Sequence, residues 1–396
     1  MKKKLLFAID SLDCAGAEKS LVTLLSLLDY TKYSVDLMLF AHETILESLV
    51  PKEVTILKPL KYTEYTKLNI KQSLIYTLKN SNYKMLYSRM KYSIGIRKEN
   101  YRNSQKARVF WQSVSKNIEK NSKYYDVAIS YAQGVPTFYI ADKVRAKKKF
   151  AWVNVSYKLK EQDKTFQKDF YDKYNKIVAV SDTTKEIFLE TFPDCSEKVG
   201  VIHDINNPDL IVEMANIGES YDDNFTGVKI LTIGRLDYQK GYDIALNACE
   251  RLKENGINFR WYVLGKGPQQ KEIEEFIDKN NLTQHFILLG TRSNPYPFIK
   301  NADIYVQTSK FEGFGLAIAE ARMLNVPVVT TRFDAVYAQM VEGKNGIVVD
   351  MNPEAVSDGI MQLINDKELR ETIIQYLRGE KKGNIEEVEK FYQLLG

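Results

Sequence analysis

Two glutamates stand at a spacing that would let them act on one ligand. Glu312 directly precedes the stretch Gly313-Phe314-Gly315, and Glu320 lies eight residues beyond Glu312. Because carboxylates accept hydrogen bonds from hydroxyl groups, the pair suits a polyhydroxylated ligand. The plainer interpretation is a surface helix with two ordinary charges, and for Glu320 alone we would favour a half-buried salt bridge. The rest of the chain has to decide between the two interpretations.

A second stretch, "GRLDYQKGYD", contributes positive charge. It places Arg235 and Lys240 in a loop between a predicted strand and a predicted helix, bounded by Gly234 and Gly241. An arginine fork and a lysine point charge can together hold a diphosphate. A solvated loop with incidental charges explains the same residues equally well, so both interpretations stay open.

Two further loops follow predicted strands. "VLGKGPQQ" contains Gly265 and Gly267, which would let a ligand approach the backbone, although the same spacing also describes an ordinary turn. "LGTRSNPYP" contains Thr291 and Tyr296. Backbone groups near Thr291 could contact the edge of a base and the Tyr296 ring could stack on it. Alternatively, the prolines of this loop only shape a helix start.

These loops fit an α/β chain in which strands and helices alternate. We predict two doubly wound, Rossmann-like domains over residues 1–205 and 206–375, with a final helix over 376–396. The polar stretch "NIGESYDDNFTG" favours a boundary between the domains. Ligands of such sheets bind at the carboxyl ends of the strands. Loops from both domains, including the one with Gly16 in the first, are therefore expected to face a central cleft.

Charge and apolar pattern set the first half apart. Residues 1–200 hold 35 basic and 22 acidic side chains, whereas the remainder holds 21 and 29. Residues 61–123 concentrate the excess, with 15 basic and 3 acidic side chains, and carry apolar residues at helical spacing at Leu68, Ile70, Leu74, Ile75 and Leu78. Two interpretations explain this segment. One is an anionic partner such as a membrane surface, and the other is a basic face that is only solvated. No motif for nucleic-acid recognition accompanies it.

The chain start and the cysteines point to a reducing compartment. The apolar segment Leu5–Ile9 is five residues long, shorter than the roughly 7–15 residues of a secretory signal, so we predict a strand there and a cytoplasmic location. Three scattered cysteines show neither metal-binding nor disulfide spacing.

Residues 228–350, through the quoted motifs and "FEGFGLAIAEARMLNVPVVTT", resemble the retaining nucleotide-sugar glycosyltransferases of family 4, which have the GT-B fold. The first domain resembles them more loosely through "GAEKSLVTLL". The resemblance implies two Rossmann-like domains and a final helix that crosses back to the first domain. It also implies a nucleotide-sugar donor, a saccharide acceptor and no metal or other cofactor.

The resemblance assigns roles residue by residue. Arg235 and Lys240 would hold the donor diphosphate, Glu320 the ribose, and Glu312 the transferred sugar. The remaining donor-binding positions are Gly16, Gly234, Gly265, Gly267, Thr291, Tyr296, Gly313, Phe314, Gly315 and Leu316. Many relatives carry a histidine after the strand that corresponds to "FAWVNVSYK", where this chain has Asn154. An amide can hydrogen-bond a sugar hydroxyl but cannot become cationic, so Asn154 is a catalytic candidate beside the alternative of a strand-end turn.

The expected reaction moves a hexose or N-acetylhexosamine, with UDP as the preferred nucleotide, to a lipid-linked saccharide in cell-surface polysaccharide or wall-polymer synthesis. That acceptor would bring the protein to the inner face of the cell membrane. Two other functions stay open. One is a GT-B nucleotide-sugar 2-epimerase, and the other is a non-catalytic, transferase-like subunit that stabilises a partner.

Overall fold

The computed structural model describes residues 2–13, 16–97, 103–154, 159–312, 315–333 and 336–396. The chain divides into two compact units. Unit 1 comprises Met1–Asn206 together with Asn384–Gly396, and unit 2 comprises Asn207–Gly383. Each unit is built around its own parallel sheet with helices, as the alternation of strand and helix patterns predicts.

Unit 1 contains a parallel sheet in the order β3-β2-β1-β4-β5-β6-β7. β1 lies next to the centre and pairs with β2 and β4, placing Leu5 opposite both Val35 and Val127. The last five residues of β1 are buried, as an apolar strand covered on both faces requires. The strands are β1 (Lys3–Ile9), β2 (Tyr33–Leu39), β3 (Val54–Ile56), β4 (Tyr124–Ser130), β5 (Arg145–Val153), β6 (Lys176–Ala179) and β7 (Val199–Val201).

The helices of unit 1 include a run between β3 and β4 that covers most of the basic segment. Ser181 caps the start of α8, because its side chain accepts a hydrogen bond from the Thr184 backbone N–H at 3.1 Å. The helices are α1 (Gly16–Ser26), α2 (Lys61–Lys67), α3 (Ile70–Asn80), α4 (Tyr83–Gly95), α5 (Asn103–Val114), α6 (Val135–Lys143), α7 (Glu161–Tyr171) and α8 (Asp182–Thr191).

Unit 2 contains a second parallel sheet in the order β10-β9-β8-β11-β12-β13. The chain order reverses direction between β8 and β11, which makes this the switch point of a doubly wound sheet. The strands are β8 (Val228–Ile233), β9 (Phe259–Leu264), β10 (Phe286–Gly290), β11 (Ile304–Gln307), β12 (Val328–Thr331) and β13 (Gly346–Val349). The helices are α9 (Pro208–Met214), α10 (Tyr242–Glu254), α11 (Gln270–Lys279), α12 (Tyr296–Lys300), α13 (Leu316–Met323), α14 (Pro353–Asn365) and α15 (Lys367–Gly379).

The prediction of one helix over 376–396 is wrong in its extent. α15 ends at Gly379, and a separate helix, α16 (Val388–Leu395), follows. Glu380, directly after α15, has an extended backbone with φ of −70° and ψ of 135°, and this ends the helix. α16 packs on unit 1 as predicted, since its Phe391 ring lies 6.0 Å from the Phe7 ring. Among the described helices, none has the length and apolar character that a bilayer span requires.

Candidate functional site

The carboxyl edge of the unit 2 sheet brings two of the predicted site residues into contact. Lys240 lies in the loop after β8 and Glu312 in the loop after β11, the two central strands at the switch point. The Lys240 ammonium donates to Glu312 Oε1. The two side chains are 19% and 9% exposed, so the pair is mostly withdrawn from water but still accessible. This contact joins the two motifs that the sequence analysis treated separately.

The Glu312 carboxylate is held by polar side chains from its own loop and from the loop after β8. Oε1 also accepts from the Ser309 hydroxyl at 2.7 Å and from Gln307 Nε2 at 3.4 Å. Among the described residues, which leave out 313 and 314, the other oxygen, Oε2, has one long contact, from Gln239 Nε2 at 3.5 Å. Since a carboxylate offers about four acceptor positions, Oε2 keeps most of its capacity for a ligand hydroxyl.

The backbone ties the two loops together behind this carboxylate. The Thr308 hydroxyl donates to the Lys240 carbonyl oxygen at 2.9 Å, and the Lys310 N–H donates to the Gln239 carbonyl oxygen at 2.8 Å. Gly241 makes this approach possible. Its φ is +64°, and a Cβ there would lie 2.1 Å from the Thr308 carbonyl oxygen. A glycine at position 241 is therefore required by the close packing of the two loops.

The predicted donor-binding glycines have packing reasons of their own. A Cβ on Gly265 would lie 1.9 Å from the Gly234 carbonyl oxygen, and one on Gly267 would lie 2.2 Å from the Leu236 carbonyl oxygen. A Cβ on Gly234 would lie 3.0 Å from Cδ of Lys240, so this glycine leaves room for the lysine stem. These glycines let the loops after β8 and β9 touch and shape the path of Lys240. Contact of the same glycines with a ligand stays a prediction.

Arg235 lies in the same loop as Lys240 but is far more exposed. Its side chain is 71% exposed, and its Nε donates to Asp237 Oδ2 at 2.7 Å. The guanidinium is therefore fixed beside a carboxylate of its own loop, with most of its surface in solvent. The structure places the two predicted cations in one loop. That they bind one diphosphate together stays a prediction.

Glu320 lies in α13, at the fifth residue of the helix, and is buried. Its Oε1 accepts from the Tyr296 hydroxyl at 2.9 Å, which links α13 to the start of α12. The Tyr296 ring is fully buried. The predicted stacking of Tyr296 on a base is therefore wrong, because no face of the ring is open to a ligand. Tyr296 acts through Glu320, whose carboxylate it orients.

The other predicted donor-binding positions lie either at the same edge of the unit 2 sheet or outside the described residues. Thr291 is exposed directly after β10. Gly315 precedes α13, and its carbonyl oxygen accepts from Gln339 Nε2 at 3.2 Å, while Leu316 begins that helix and is exposed. Gly313 and Phe314 lie outside the described residues, so their predicted roles stay predictions.

Unit 1 holds the remaining candidates, Gly16 and Asn154. Gly16 begins α1 after β1. Asn154 follows β5, and its Nδ2 donates to the Tyr131 carbonyl oxygen at 2.7 Å, which bridges the ends of β4 and β5. Its Oδ1 is buried and has no hydrogen-bond partner in the part of the chain that the structure describes. The amide thus has a structural contact through its nitrogen, while its oxygen is buried without a partner among the described residues.

Sequence reasoning missed the residues that hold Glu312 in place. Gln307, Thr308 and Ser309 are almost fully buried, although all three are polar. They follow the apolar residues of β11 directly, and Thr331 at the end of β12 donates to the Ser309 carbonyl oxygen at 2.5 Å. The sequence did offer a signal for these residues, namely a polar run that continues an apolar strand at its carboxyl end. Polar side chains at such a buried position need hydrogen-bond partners.

Residues 219–380 match the family model described as Glycosyl transferases group 1. The chain is 26% identical to an uncharacterized glycosyltransferase of Methanocaldococcus jannaschii over 58% of this chain and 64% of the relative. It is 33% identical to the capsular polysaccharide biosynthesis glycosyltransferase CapM of Staphylococcus aureus, over 38% and 40% of the two chains. Each alignment therefore spans less than two thirds of the relative's own length.

A further relative is the N-acetylgalactosamine-N,N'-diacetylbacillosaminyl-diphospho-undecaprenol 4-alpha-N-acetylgalactosaminyltransferase of Campylobacter jejuni. It is 25% identical over 50% of this chain and 53% of the relative. Among solved structures, HepE of Anabaena in complex with UDP and glucose superposes with a TM-score of 0.62 at 16% identity and covers 99% of both chains. This likeness concerns the fold, which is the GT-B fold that the motifs predict.

Proposed function

We propose that this protein is a retaining glycosyltransferase that moves a hexose or N-acetylhexosamine from a nucleotide-sugar to a saccharide acceptor. The contact of Lys240 with Glu312 at the switch point of the unit 2 sheet carries the proposal. It sets a phosphate-binding cation directly beside a carboxylate that can accept sugar hydroxyls. The matched family model covers the same residues, and HepE, which shares the fold, was solved with UDP and glucose. A UDP-sugar is accordingly our first choice of donor.

Lys240 and Arg235 bind the donor diphosphate in this proposal. The bond between the anomeric carbon and the diphosphate oxygen breaks, and its electron pair leaves with the diphosphate. An ammonium has three N–H donors, so Lys240 can keep Glu312 and still contact a phosphate oxygen. Positive charge that is already in place stabilises the departing diphosphate as its charge develops. Because protein cations supply this charge, the proposed reaction needs no metal or other cofactor.

Glu312 and Glu320 hold the two sugars of the donor. Glu312 Oε2 accepts from hydroxyls of the transferred sugar, while Ser309 and Lys240 fix the other oxygen. Glu320, oriented by Tyr296, accepts from the ribose hydroxyls. The acceptor hydroxyl attacks the face from which the diphosphate leaves and forms the new bond to the anomeric carbon. Its proton passes to the leaving diphosphate, and the configuration at the anomeric carbon is retained.

The acceptor in this proposal is a lipid-linked saccharide in cell-surface polymer synthesis. The name of the Campylobacter relative specifies an undecaprenol-linked saccharide, and that of CapM specifies capsular polysaccharide. Asn154 Oδ1, a buried oxygen at the carboxyl edge of the unit 1 sheet with no partner among the described residues, could accept a hydrogen bond from a sugar hydroxyl that reaches it. Such an acceptor would bring the protein to the inner face of the cell membrane.

Donor binding and transfer can be tested in sequence. UDP-, GDP- and dTDP-sugars are first compared by thermal shift, because a ligand that binds the native state raises its melting temperature. We expect UDP-sugars to give the largest shift. The preferred donor is then incubated with an undecaprenyl-diphosphate-linked saccharide, and the product's anomeric configuration is determined by NMR. No shift with any nucleotide-sugar would contradict donor binding, and an inverted product would contradict retention.

A further inference from the structure

Helix α3 faces its apolar residues away from the protein. All four of its aliphatic residues are exposed: Ile70, Leu74, Ile75 and Leu78. Ile70, Leu74 and Leu78 recur every four residues and therefore lie along one side of the helix. A surface helix of a globular protein normally turns such a stripe toward the core. α3 does the opposite.

The buried side of α3 is polar. Ser73 and Thr77 are its buried residues. The Arg89 guanidinium of α4 donates to the Ser73 hydroxyl, and Thr77 lies within hydrogen-bond distance, 3.1 Å, of the Tyr65 hydroxyl of α2. α3 is thus attached to the unit through these polar contacts and through the Tyr76 ring, which packs against the core of unit 1 and lies 5.4 Å from the Tyr65 ring. Its four aliphatic residues lie outside this attachment and are exposed.

Helix α4 carries a second exposed stripe. Tyr83, Tyr87, Met90 and Ile94 are all more than half exposed. Their spacing of four, three and four residues places them on one side of the helix. α3 and α4 follow each other in the chain and pack together. Two neighbouring helices therefore both present large apolar side chains to their surroundings, which is more than the single exposed apolar residues that protein surfaces normally show.

The charges around these stripes are almost entirely positive. Residues 61–97 contain 8 basic side chains and one acidic side chain, Glu64. Lys71 and Lys79 extend from α3, and Lys84 and Lys91 from α4, all of them exposed. A protein interface that buried these stripes would have to match this surplus of lysines with acidic residues. An anionic bilayer supplies both an apolar interior and a negatively charged surface.

We propose that α3 and α4 form a docking surface for an anionic lipid bilayer. Their exposed side chains insert into the boundary between headgroups and acyl chains, roughly 5–10 Å deep, as in other interfacial helices. The lysines contact phosphate groups of the headgroups. The apolar residues provide affinity that salt does not screen, and the lysines provide preference for anionic lipid. The surface lies in unit 1 and does not depend on the reaction proposed above.

Vesicle sedimentation of the full-length protein tests this surface. Binding is measured to vesicles of phosphatidylcholine with phosphatidylglycerol and to vesicles of phosphatidylcholine alone, at low and high salt. We expect binding to the anionic vesicles that weakens as salt rises and that is at least tenfold weaker for neutral vesicles. Equal binding to both vesicle types, or no binding to either, would overturn the proposal.

Variants of the two stripes identify the residues responsible. An apolar variant combines Leu74→Gln, Leu78→Gln, Tyr87→Gln and Met90→Gln, and a charge variant combines Lys71→Gln and Lys79→Gln. We expect the apolar variant to bind anionic vesicles at least tenfold more weakly, and the charge variant to lose most of the preference for them. Matched controls on unit 2 are Val212→Gln with Tyr376→Gln, and Lys271→Gln with Lys279→Gln, all at exposed positions.

The remaining occupant to consider is a second copy of this chain. Sedimentation velocity without vesicles distinguishes such a dimer from docking on a bilayer. If the surface binds a bilayer, we expect no self-association that depends on α3 and α4. Circular dichroism and the melting temperature confirm that the variants fold, which is expected because the changed residues are exposed. A wild-type dimer that the apolar variant disrupts, with unchanged vesicle binding, would overturn the proposal in favour of an interface between copies.

Discussion

Two poorly exposed ion pairs, one in each unit, show how differently the units use charge. In unit 1, Arg108 of α5 donates from Nε to Asp163 of α7 at 2.6 Å, and the side chains are 8% and 1% exposed. In unit 2, Lys240 and Glu312 pair between two loops at the carboxyl edge of the sheet. The first pair joins two helices inside the fold, whereas the second lies where ligands of such sheets bind.

Burial alone does not distinguish a structural pair from a functional one. Asp163 is closed off from solvent, so its charge can do little besides hold α5 to α7. Glu312 has an oxygen with a single 3.5 Å contact within the described part of the chain, and its partner Lys240 has further donors. Position at the strand ends and remaining hydrogen-bond capacity, rather than low exposure, support the proposal that the second pair is a site.

The largest expected effect is on stability, from the pair in unit 1. Asp163→Ala leaves Arg108 buried without its partner, and such a change costs about 3–5 kcal/mol of unfolding free energy. Urea unfolding measures the loss. The control is Asp194→Ala, which removes an exposed partner of Lys168 and should leave the urea midpoint unchanged. Equal, small effects of the two variants would show that the Arg108 pair does not hold the helices together.

The next effect is on activity, from the pair in unit 2. Lys240→Ala removes the cation beside the diphosphate, and we expect kcat/KM for the nucleotide-sugar to fall at least tenfold, or about 1.4 kcal/mol. Steady-state kinetics with the preferred donor measures the change. Lys271→Ala, which removes an exposed lysine of α11, is the control and should act as the wild type. A folded Lys240→Ala protein with wild-type kinetics would remove Lys240 from the reaction.

A buried carboxyl group in unit 1, that of Asp204, gives a pH-dependent prediction. Burial raises the pKa of Asp204 to about 6, and its Oδ1 has no partner among the described residues. Between pH about 4 and 6 the folded state then binds more protons than the unfolded state, so stability falls as pH rises through this window. We expect Asp204→Asn to remove most of that fall, because an amide does not titrate.

Urea unfolding of Asp204→Asn and the wild type at both ends of this window measures the difference. The variant should be the more stable protein at pH 7. A parallel pH dependence of the two proteins would contradict an elevated pKa at Asp204.

The smallest effect is expected from Tyr296, which acts on the site through Glu320. Tyr296→Phe keeps the buried ring and removes the hydroxyl that donates to Glu320, a loss of about 1 kcal/mol for one hydrogen bond. We expect KM for the donor to rise about fivefold with little change in kcat, since the ribose is distant from the reacting bond. Tyr376→Phe on α15 is the control. A change in kcat without a change in KM would place Tyr296 in a different role.

The sequence was sufficient for the central strands of unit 2 and for the motif residues in the loops after them. Apolar strands followed by short polar loops predict β8 and β11, and the loops after these strands contain Lys240 and Glu312. These features are local, because each depends on the order of residues over one strand and the loop after it.

What the sequence could not provide depends on contacts between distant residues. Ser309 and Gln307 hold Glu312 only because their strand ends inside the fold, and Tyr296 is buried only because α12 packs against α13. Periodicity likewise identified the apolar side of α3, including Leu74 and Leu78, but it did not predict that this side is exposed. The helical period predicts that a stripe exists, whereas its burial depends on the neighbouring elements.

The most direct test of the account compares UDP with uridine by calorimetry, using the wild type and Lys240→Ala. If Lys240 binds the donor diphosphate, the variant should bind UDP at least tenfold more weakly and uridine as the wild type does, because uridine has no phosphates. Equal UDP affinity for the two proteins, or an equal loss for UDP and uridine, would contradict the proposed site.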